Sequence, residues 1–330
     1  MYDYVTEYNG TPEVNSGKTV YQYYLQAPLS PPDPHNTIQG NQHDGWKSGH
    51  LISKTVYKNN NGEYEPLESI ENEYSSLKKY FGDIIVGEVG MNVAVKKAGS
   101  GYVPESVKSN VSYQPTTINV GAKLLLKREH KTYADGGAVS AVTEYEYADS
   151  ASVYPTRITE TGSDSVNYVT VLAYPKDYKN VYPYTDMIER NILSSVVKKE
   201  YIRGGSYIGI ETPFIKSSRN IYKPGSLVVR RDSLGDGDIR ATYLYDDYGK
   251  IRQETREGKE SIVYLYGYKN ENVIARIENA TYAHVVAALG SKNIINTLAL
   301  GSGLSSYDIQ IVNSLRDSLP ASRVTTYTYK

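Results

Sequence analysis

The stretch "ATYLYDDYGKIRQETREGKESIVYLYGY", residues 241–268, decides the fold class of this chain. Tyrosine and aliphatic residues alternate at both of its ends, and alternation with a period of two predicts β-strands. After the first strand, Asp246 can accept backbone N–H bonds at a turn, and Gly249 can take the positive φ of a tight reversal. The stretch therefore predicts antiparallel hairpins whose tyrosines lie on a common face.

Segments of the same kind recur along the chain, rich in β-branched and aromatic residues and separated by glycine-bearing turns. The predicted strands cover residues 18–24, 51–57, 141–147, 165–174, 241–245 and 261–268. The predicted turns lie at residues 59–62, 135–137, 203–205 and 256–258. The protein is thus predicted to be mainly β and built from consecutive antiparallel hairpins.

The aromatic composition is uneven, with 34 Tyr, 2 Phe and 1 Trp among 330 residues. Phenylalanine fits a strand about as well as tyrosine does, so the preference for Tyr indicates half-buried sheet faces whose hydroxyls reach water or a partner. The net charge of −1 supplies no basic excess for binding a nucleic-acid backbone. The absence of Cys excludes disulfides, thiolate metal sites and cysteine nucleophiles.

The two ends of the sequence are strand-like, with "YDYVTEY" directly after Met1 and "RVTTYTY" directly before Lys330. This pattern predicts a fragment of a longer protein. No signal peptide opens the chain, and no apolar run reaches the length of a membrane-spanning helix. For a fragment, the missing signal peptide carries no conclusion about export.

Residues 51–74 and 124–147 align as an internal repeat, and residues 192–211 form a looser copy. The first two copies share an aliphatic start, a Lys three positions on, a Gly-bearing turn and a Glu-x-Tyr end. We predict a repetitive β region over residues 1–278, with a candidate insertion at 83–121 where the repeat spacing breaks. The proline-rich residues 27–36 predict a loop.

Two segments near the C-terminus predict helices that rest on the sheet. Residues 279–290 begin with Asn279 as an N-cap and stop at Gly290, and residues 305–320 open with Ser305 and close before a proline. In the second segment, one helical face carries Ile309, Val312, Leu315 and Leu319. We therefore predict a helical pair over residues 279–320 and a final strand over 321–330.

The opening stretch resembles the YD repeat of the Rhs (rearrangement hot spot) family, in which Tyr-x-Tyr-Asp precedes a glycine, a basic residue, an alternating stretch, a second glycine and another tyrosine pair. The matching residues, in order, are Tyr243, Tyr245, Asp246, Gly249, Lys250, Gly258, Tyr264 and Tyr266. Segments near the start, at 189–197 and from 266 onward, look like those of the large exported Rhs-type proteins of Bacteroidetes.

The resemblance implies a twisted or spiralling sheet of hairpins that encloses a cavity and shields a toxic passenger. It also implies an extracellular or cell-surface location. No C-terminal passenger is recognisable in this chain, and only one YD unit is clear.

Histidines gather in the stretch "HNTIQGNQHDGWKSGH". Its candidate metal ligands are His35, His43, Asp44 and His50. A metal site remains open, but the spacing matches no ligand motif, and this favours a solvated polar loop. His130 and His284 lie in a predicted strand and a predicted helix, where the sequence defines no catalytic partner.

Two other candidate sites are an aspartate cluster and the single tryptophan. Asp232, Asp236 and Asp238 in "RDSLGDGD" offer oxygen ligands to Ca²⁺, but EF-hand spacing and a distant Glu are missing, which favours a turn. Trp46 is a candidate ligand-surface residue, because sugars stack on exposed aromatic rings. The favoured alternative is that Trp46 anchors its own loop.

No Gly-x-Ser-x-Gly elbow and no phosphate-binding glycine loop is found, and nothing nominates two carboxylates as a glycosidase pair. We predict a non-catalytic scaffold or shell segment that needs no cofactor. Its predicted partners are the remainder of its own longer polypeptide, together with a protein or glycans, and nucleic acid is excluded. A carbohydrate-binding surface is the alternative prediction, and a glycoside-active enzyme is the second alternative.

Overall fold

The computed structural model of the protein describes residues 2–25, 45–75, 79–91, 95–98, 101–104, 111–134, 137–148, 153–162, 164–217, 219–257 and 260–329. Two compact units make up the chain, Met1–Tyr168 and Val169–Lys330. Each unit consists mainly of antiparallel strands that pair with their neighbours in sequence. The predicted mainly β fold of consecutive hairpins is confirmed.

The first unit contains eleven strands in its described part. They are β1 (Tyr4–Gly10), β2 (Asn15–Tyr24), β3 (His50–Asn60), β4 (Glu63–Tyr74), β5 (Lys79–Met91), β6 (Val95–Ala98), β7 (Gly101–Pro104), β8 (Val111–Ala122), β9 (Leu125–Ala134), β10 (Gly137–Glu146) and β11 (Arg157–Thr161). Its main sheet has the order β1-β2-β3-β4-β9-β10-β11. Strand β5 pairs with β8 and β6 with β7 in two separate small sheets, so the segment predicted as an insertion forms its own pairings between β4 and β9.

The division between the units falls within strand β12 (Asn167–Ala173). The later strands are β13 (Lys198–Arg203), β14 (Ser206–Glu211), β15 (Phe214–Lys216), β16 (Tyr222–Pro224), β17 (Ser226–Arg230), β18 (Asp238–Tyr245), β19 (Ile251–Arg256), β20 (Ser261–Gly267), β21 (Asn272–Glu278) and β22 (Arg323–Thr326). The main sheet of the second unit has the order β13-β14-β17-β18-β19-β20-β21-β22, and β15 pairs with β16 apart from it.

The described residues of the second unit include four α-helices, three of them between β21 and β22. They are α1 (Tyr184–Glu189), α2 (Tyr282–Leu289), α3 (Lys292–Leu300) and α4 (Ser306–Ser318). Short 3₁₀ turns cover Gly45–Lys47 and Pro175–Tyr178. In the part of the chain that the structure describes, no helix has the length and apolarity needed to cross a membrane.

All six predicted strands are present, with ends displaced by a few residues. The predicted strand at 141–147, for example, is β10 (Gly137–Glu146), and the one at 165–174 is β12. The proline-rich residues 27–36 lie outside the described residues. The division predicted at residue 278 separates strands from helices, whereas the two units are defined by compactness. The predicted division therefore stays a prediction.

Both predicted C-terminal helices are present, as α2 and α4, and a third helix that was not predicted, α3, fills the connection between them. Its Ser291 N-cap position makes no side-chain cap bond, so the usual start signal is missing. The N-cap of α2 is Thr281 and not Asn279, and its hydroxyl accepts the N–H of His284. Helix α4 begins after Ser305 as predicted, with Ser305 and Asp308 forming a capping box.

The main core of the second unit lies between β20, β21 and the three C-terminal helices. Fully or nearly fully buried members include Val263, Leu265, Ile274, Ile277, Val285, Leu298, Val312 and Leu315. Val312 and Leu315 belong to the helical face predicted from the sequence. Burial of this apolar surface is the main force that holds the helices on the strands.

Tyrosine side chains in the sheets are mostly half-buried, as predicted from the Tyr excess. Among the described tyrosines, Tyr174 and Tyr184 fall in the buried core. A half-buried ring packs its body against neighbours and keeps its hydroxyl available for a hydrogen bond. The tyrosines therefore act in the sheets as both apolar and polar groups.

Helix α1 was not predicted, and a polar network ties it to the small β15–β16 sheet. The carboxylate of Asp186 accepts bonds from Lys216, from the hydroxyl of Tyr222 and, at 3.1 Å, from Nε of Arg190. These donors, with Lys216 first, lower the pKa of Asp186 to about 2. Met187, which follows Asp186, is completely buried in a second core with Tyr184 and Val197.

Asp186→Asn tests this network through its pH dependence. Because the folded-state pKa lies below the ordinary 3.8, the carboxylate stabilises the fold above about pH 4, and this contribution fades as the pH falls towards 2. In urea unfolding from pH 2 to 7, we expect the variant to be less stable than the parent above pH 4. The gap should narrow steadily below pH 4.

Asp317→Asn, on the exposed side of α4, serves as the matched control and should leave stability unchanged within error. A gap for Asp186→Asn that stays constant over the whole pH range would show that the ionised carboxylate is not the stabilising species.

Candidate functional site

The turn between β18 and β19 is organised by the carboxylate of Asp246. Its Oδ1 accepts the backbone N–H of Tyr248 at 2.9 Å and that of Lys250 at 2.8 Å. Its Oδ2 accepts the side-chain amide of Asn270 at 2.8 Å. Gly249 takes a φ of 80°, the left-handed conformation that closes the reversal. Both carboxylate oxygens of Asp246 are thus occupied in holding the turn.

The motif tyrosines bond to the backbone of neighbouring strands. The hydroxyl of Tyr245 donates to the carbonyl of Pro224 at 2.7 Å, and that of Tyr266 donates to the carbonyl of Ile251 at 2.9 Å. The rings of Tyr243 and Tyr245 lie with centroids 6.5 Å apart. Lys250 has its ammonium 5.3 Å from the ring centroid of Tyr266 and donates to the carbonyl of Glu271 at 3.0 Å. Gly258, the remaining motif residue, lies outside the described residues.

Five register shifts among the described residues share one geometry, in which the partner strand carries one extra residue opposite the step into a tyrosine. One of them steps into Tyr57, opposite the extra residue Leu67, and the other four have a further feature in common. The register-shift tyrosines of these four are Tyr23, Tyr74, Tyr245 and Tyr266. They pair respectively with Leu51, Leu125, Ile251 and Val273. The extra residues, in the same order, are Ile52, Leu126, Arg252 and Ile274.

Each of these four shifts is linked to a tyrosine further along its own unit. The residue that pairs with the register-shift tyrosine accepts, through its backbone carbonyl, a hydrogen bond from the hydroxyl of that later tyrosine. In the first unit these bonds are Tyr74 to Leu51 at 3.2 Å and Tyr147 to Leu125 at 2.9 Å. In the second unit they are Tyr266 to Ile251 at 2.9 Å and Tyr329 to Val273 at 3.0 Å. We call these four bonds the tyrosine–carbonyl series.

The series gives physical content to the sequence repeat. In each case a backbone carbonyl beside a register shift accepts a hydrogen bond from a tyrosine hydroxyl. At Leu51 the side-chain amide of Asn72 donates to the same oxygen at 2.9 Å. Residues 51–74 and 124–147 match because each contains such a tyrosine and an acceptor near its start. The sequence signal, an aliphatic residue some 20 residues before a tyrosine, is too general to have been recognised without the pairing registers.

Burial keeps the donor hydroxyls protonated. Desolvation raises the pKa of Tyr245 and of Tyr266 to about 12, and it also raises the pKa of Tyr74 and of Tyr147. A neutral phenol can donate a hydrogen bond to a carbonyl, whereas a phenolate cannot. Burial therefore favours the protonated, donating form of Tyr74, Tyr147 and Tyr266.

Next to the Asp246 turn, the second unit contains a pocket with a cavity volume of about 190 Å³. The sheet and the adjoining loops contribute Arg219, Asp246, Asp247, Tyr248, Arg252, Tyr264, Tyr266 and Asn270. The helices contribute Tyr282, Lys292, Ile295, Asn296, Ala299 and Leu300. The α3 residues recur at helical spacing, so one face of α3 forms a wall of the pocket.

Two guanidinium groups of the pocket stack on tyrosine rings. Cζ of Arg252 lies 4.6 Å from the ring centroid of Tyr282, and Cζ of Arg219 lies 4.0 Å from that of Tyr248. Nε of Arg252 is buried and has no hydrogen-bond partner among the described residues. No local sequence signal indicates this pocket, because its walls come from segments that are far apart along the chain.

Trp46 lies in the 3₁₀ turn at Gly45–Lys47, half-buried. Its indole Nε1 is buried without a hydrogen-bond partner among the described residues. Its backbone carbonyl lies 2.7 Å from Nε2 of His50, whose ring in turn lies 5.0 Å from the ring of Tyr74. This arrangement fits the interpretation of Trp46 as an anchor for its own loop.

The aspartate cluster is placed in a turn. Oδ1 of Asp232 accepts the N–H of Leu234 at 3.0 Å and also that of Gly235, while Asp238 pairs with Arg240 at 3.2 Å. Within the described ranges, no group of three or more His, Cys, Asp or Glu side chains is arranged to hold a metal ion. The calcium hypothesis for Asp232, Asp236 and Asp238 therefore gains no geometric support.

The histidines are not brought together in the described part of the chain. His35, His43 and Asp44 lie outside it. Nε2 of His130 lies 3.1 Å from a carboxylate oxygen of Glu68 across paired strands, and His284 takes part in the N-terminal cap of α2. These contacts are those expected of surface and capping residues.

Comparison of the chain with protein-family models and with curated proteins gives no match.

Tyr266→Phe tests the tyrosine–carbonyl series. Removing the hydroxyl leaves the carbonyl of Ile251 without its donor and should lower the free energy of unfolding by about 1 kcal/mol. The control is Tyr264→Phe, two residues earlier on β20, whose hydroxyl bonds to no described residue. Urea unfolding should show a shift for the first variant and almost none for the second. Equal shifts would mean that the hydroxyl of Tyr266 contributes nothing specific.

Gly249→Ala tests the reversal at the Asp246 turn. A methyl group there would force a side chain into the left-handed region, at 3.2 Å from Cγ2 of Ile221, so we expect a loss of about 1–2 kcal/mol. Gly303→Ala, at an exposed position without a positive φ, should cost less than about 0.5 kcal/mol. Thermal unfolding of both variants decides the matter, and a neutral Gly249→Ala would contradict the account of the turn.

Proposed function

We propose that the protein is a non-catalytic structural segment of a large exported polypeptide of the Rhs or YD-repeat type. The tyrosine–carbonyl series is the observation that supports this proposal best. It repeats one bonding device along both units, and such repetition is what an extended wall of hairpins needs. A reaction centre, in contrast, needs one site with special chemistry.

The polar groups of the YD-like hairpin support the same proposal. Asp246 spends both carboxylate oxygens on N–H groups of the fold, and the hydroxyls of Tyr245 and Tyr266 are spent on backbone carbonyls. Groups that are committed in this way stabilise a hairpin and are poorly placed to transfer protons to a substrate. The residues that carry the resemblance therefore have a structural role in this geometry.

The exposed faces suit a segment whose purpose is contact. Every described residue of β1 is exposed, including Tyr4 and Tyr8, and large apolar side chains such as Ile208 and Ile239 are also exposed in the second unit. Apolar and aromatic groups on a surface favour association with other surfaces. We propose that the remainder of the same polypeptide is the first partner, with an outside protein or glycan as a further one.

Localisation and size of the native polypeptide test this proposal. An antiserum against this chain is used on cells of the organism that encodes it, with protease shaving of intact cells followed by immunoblotting. We expect a polypeptide much larger than 36.8 kDa that is protease-accessible on intact cells or present in the medium. A species of about that mass, protected until the cells are lysed, would overturn the proposal.

A further inference from the structure

The pocket beside the Asp246 turn has features that a structural role does not need. The pocket is more cationic than a wall requires. Three cationic side chains line it, Arg219, Arg252 and Lys292, and none of them forms an ion pair with a described residue. Of its two carboxylates, Asp246 is saturated by hydrogen bonds from the fold. The three cations exceed the two carboxylates of the lining, Asp246 and Asp247, by one positive charge, and the side of the pocket formed by Arg252 and Lys292 is the place where we look for an anion.

Arg252 is the residue that departs from the repeat. It is the extra residue of its register shift, and the same position in the other four shifts holds Ile52, Leu67, Leu126 or Ile274. An aliphatic side chain thus satisfies this position structurally. Arginine there brings a buried Nε with no partner among the described residues, which costs stability. Register shifts often re-aim a side chain at a functional site, and here the re-aimed side chain lines the pocket.

The rest of the lining is suited to the body of a small organic molecule. The ring of Tyr282 holds the guanidinium of Arg252 by stacking, which limits its freedom before any ligand arrives. Ile295, Ala299 and the rings of Tyr248 and Tyr264 supply apolar surface. Apolar walls with a few fixed polar groups are the usual composition of small-molecule sites.

We propose that this pocket binds a small organic anion, a carboxylate or a phosphate monoester on an apolar body about the size of one ring. The anionic group is held by Arg252 with Lys292, and the body packs between the tyrosine rings and the exposed face of α3. The unpaired guanidinium supplies charge-assisted hydrogen bonds, which are stronger than neutral ones. The cavity volume of about 190 Å³ limits the size of the ligand.

The experiment is an NMR titration of the tyrosine-ring-labelled protein with three probes of similar size. Benzoate and phenyl phosphate carry the anionic group, and benzyl alcohol is the neutral counterpart. We expect saturable shifts of the Tyr282 ring with at least one anion and none with benzyl alcohol at the same concentration. Binding of benzoate alone identifies a carboxylate site, and binding of phenyl phosphate alone identifies a phosphate site. If neither anion binds better than benzyl alcohol, the proposal is wrong.

Arg252→Ile is the decisive variant, since isoleucine is what the fold accepts at two equivalent shifts. It should weaken anion binding about tenfold or more while folding as well as the parent. Arg256→Ile, on the same strand but away from the pocket, removes the same charge and should bind like the parent. Unchanged binding by Arg252→Ile would overturn the proposal.

A second variant keeps the test decisive if Arg252→Ile fails to fold. Lys292→Met removes the exposed cation at the start of α3 and is far less demanding on the core. It should weaken binding of the anions severalfold without altering the spectrum of the free protein. If Lys292→Met binds the anions as tightly as the parent, the cationic wall does not hold the ligand, and this result would overturn the proposal.

Discussion

A hydrogen bond from a tyrosine hydroxyl to a backbone carbonyl beside a register shift is the interaction that recurs through this protein. It is made by Tyr74 and Tyr147 in the first unit and by Tyr266 and Tyr329 in the second. Each such bond is worth only about 1 kcal/mol net, but an unsatisfied buried carbonyl costs more. This repeated bond needs tyrosines at strand positions, which agrees with the high tyrosine content of the chain.

These bonds give Tyr74, Tyr147, Tyr266 and Tyr329 a role that phenylalanine, which would pack as well, could not fill. Only the ring with a hydroxyl can fill a half-buried sheet face and reach a carbonyl on the neighbouring strand. The β5–β8 sheets in the first unit and the α2–α4 helices in the second are both inserted between strands of a main sheet. In the second unit the bond from Tyr329 to the carbonyl of Val273 joins the two sides of the inserted helices. In the first unit the bond from Tyr147 reaches the carbonyl of Leu125, which is paired with Tyr74 from before the inserted segment.

Local sequence signals predicted the elements whose conformation depends on residues close by in the sequence. Alternation located the strands, glycines located the turns, and the Ser305 capping box located α4, because each of these is decided within a few residues. Helices α1 and α3 were missed because α1 is only six residues long and because neither start carries a side-chain cap bond. Packing against the rest of the fold holds these helices in place, and such packing cannot be recognised from a few consecutive residues of the sequence.

The pocket could not be predicted for a related reason. Arg252, Tyr282 and Lys292 meet only after a register shift has aimed Arg252 and α3 has placed its face beside the sheet. The residues that resemble a YD repeat, in contrast, lie close together in the sequence, so their pattern is visible without a structure. The hairpin motif thus fits the scaffold role that we propose, and the departure from the repeat at Arg252 lies in the pocket where we propose a binding site.

The most direct measurement of the central claim is the exchange rate of tyrosine hydroxyl protons with water, followed by NMR in selectively labelled protein. The account predicts slow exchange for the hydroxyls of Tyr74, Tyr147 and Tyr266, because each is bonded to a carbonyl, and fast exchange for Tyr307, which is 70% exposed. Hydroxyls of the series that exchange as fast as that of Tyr307 would contradict it.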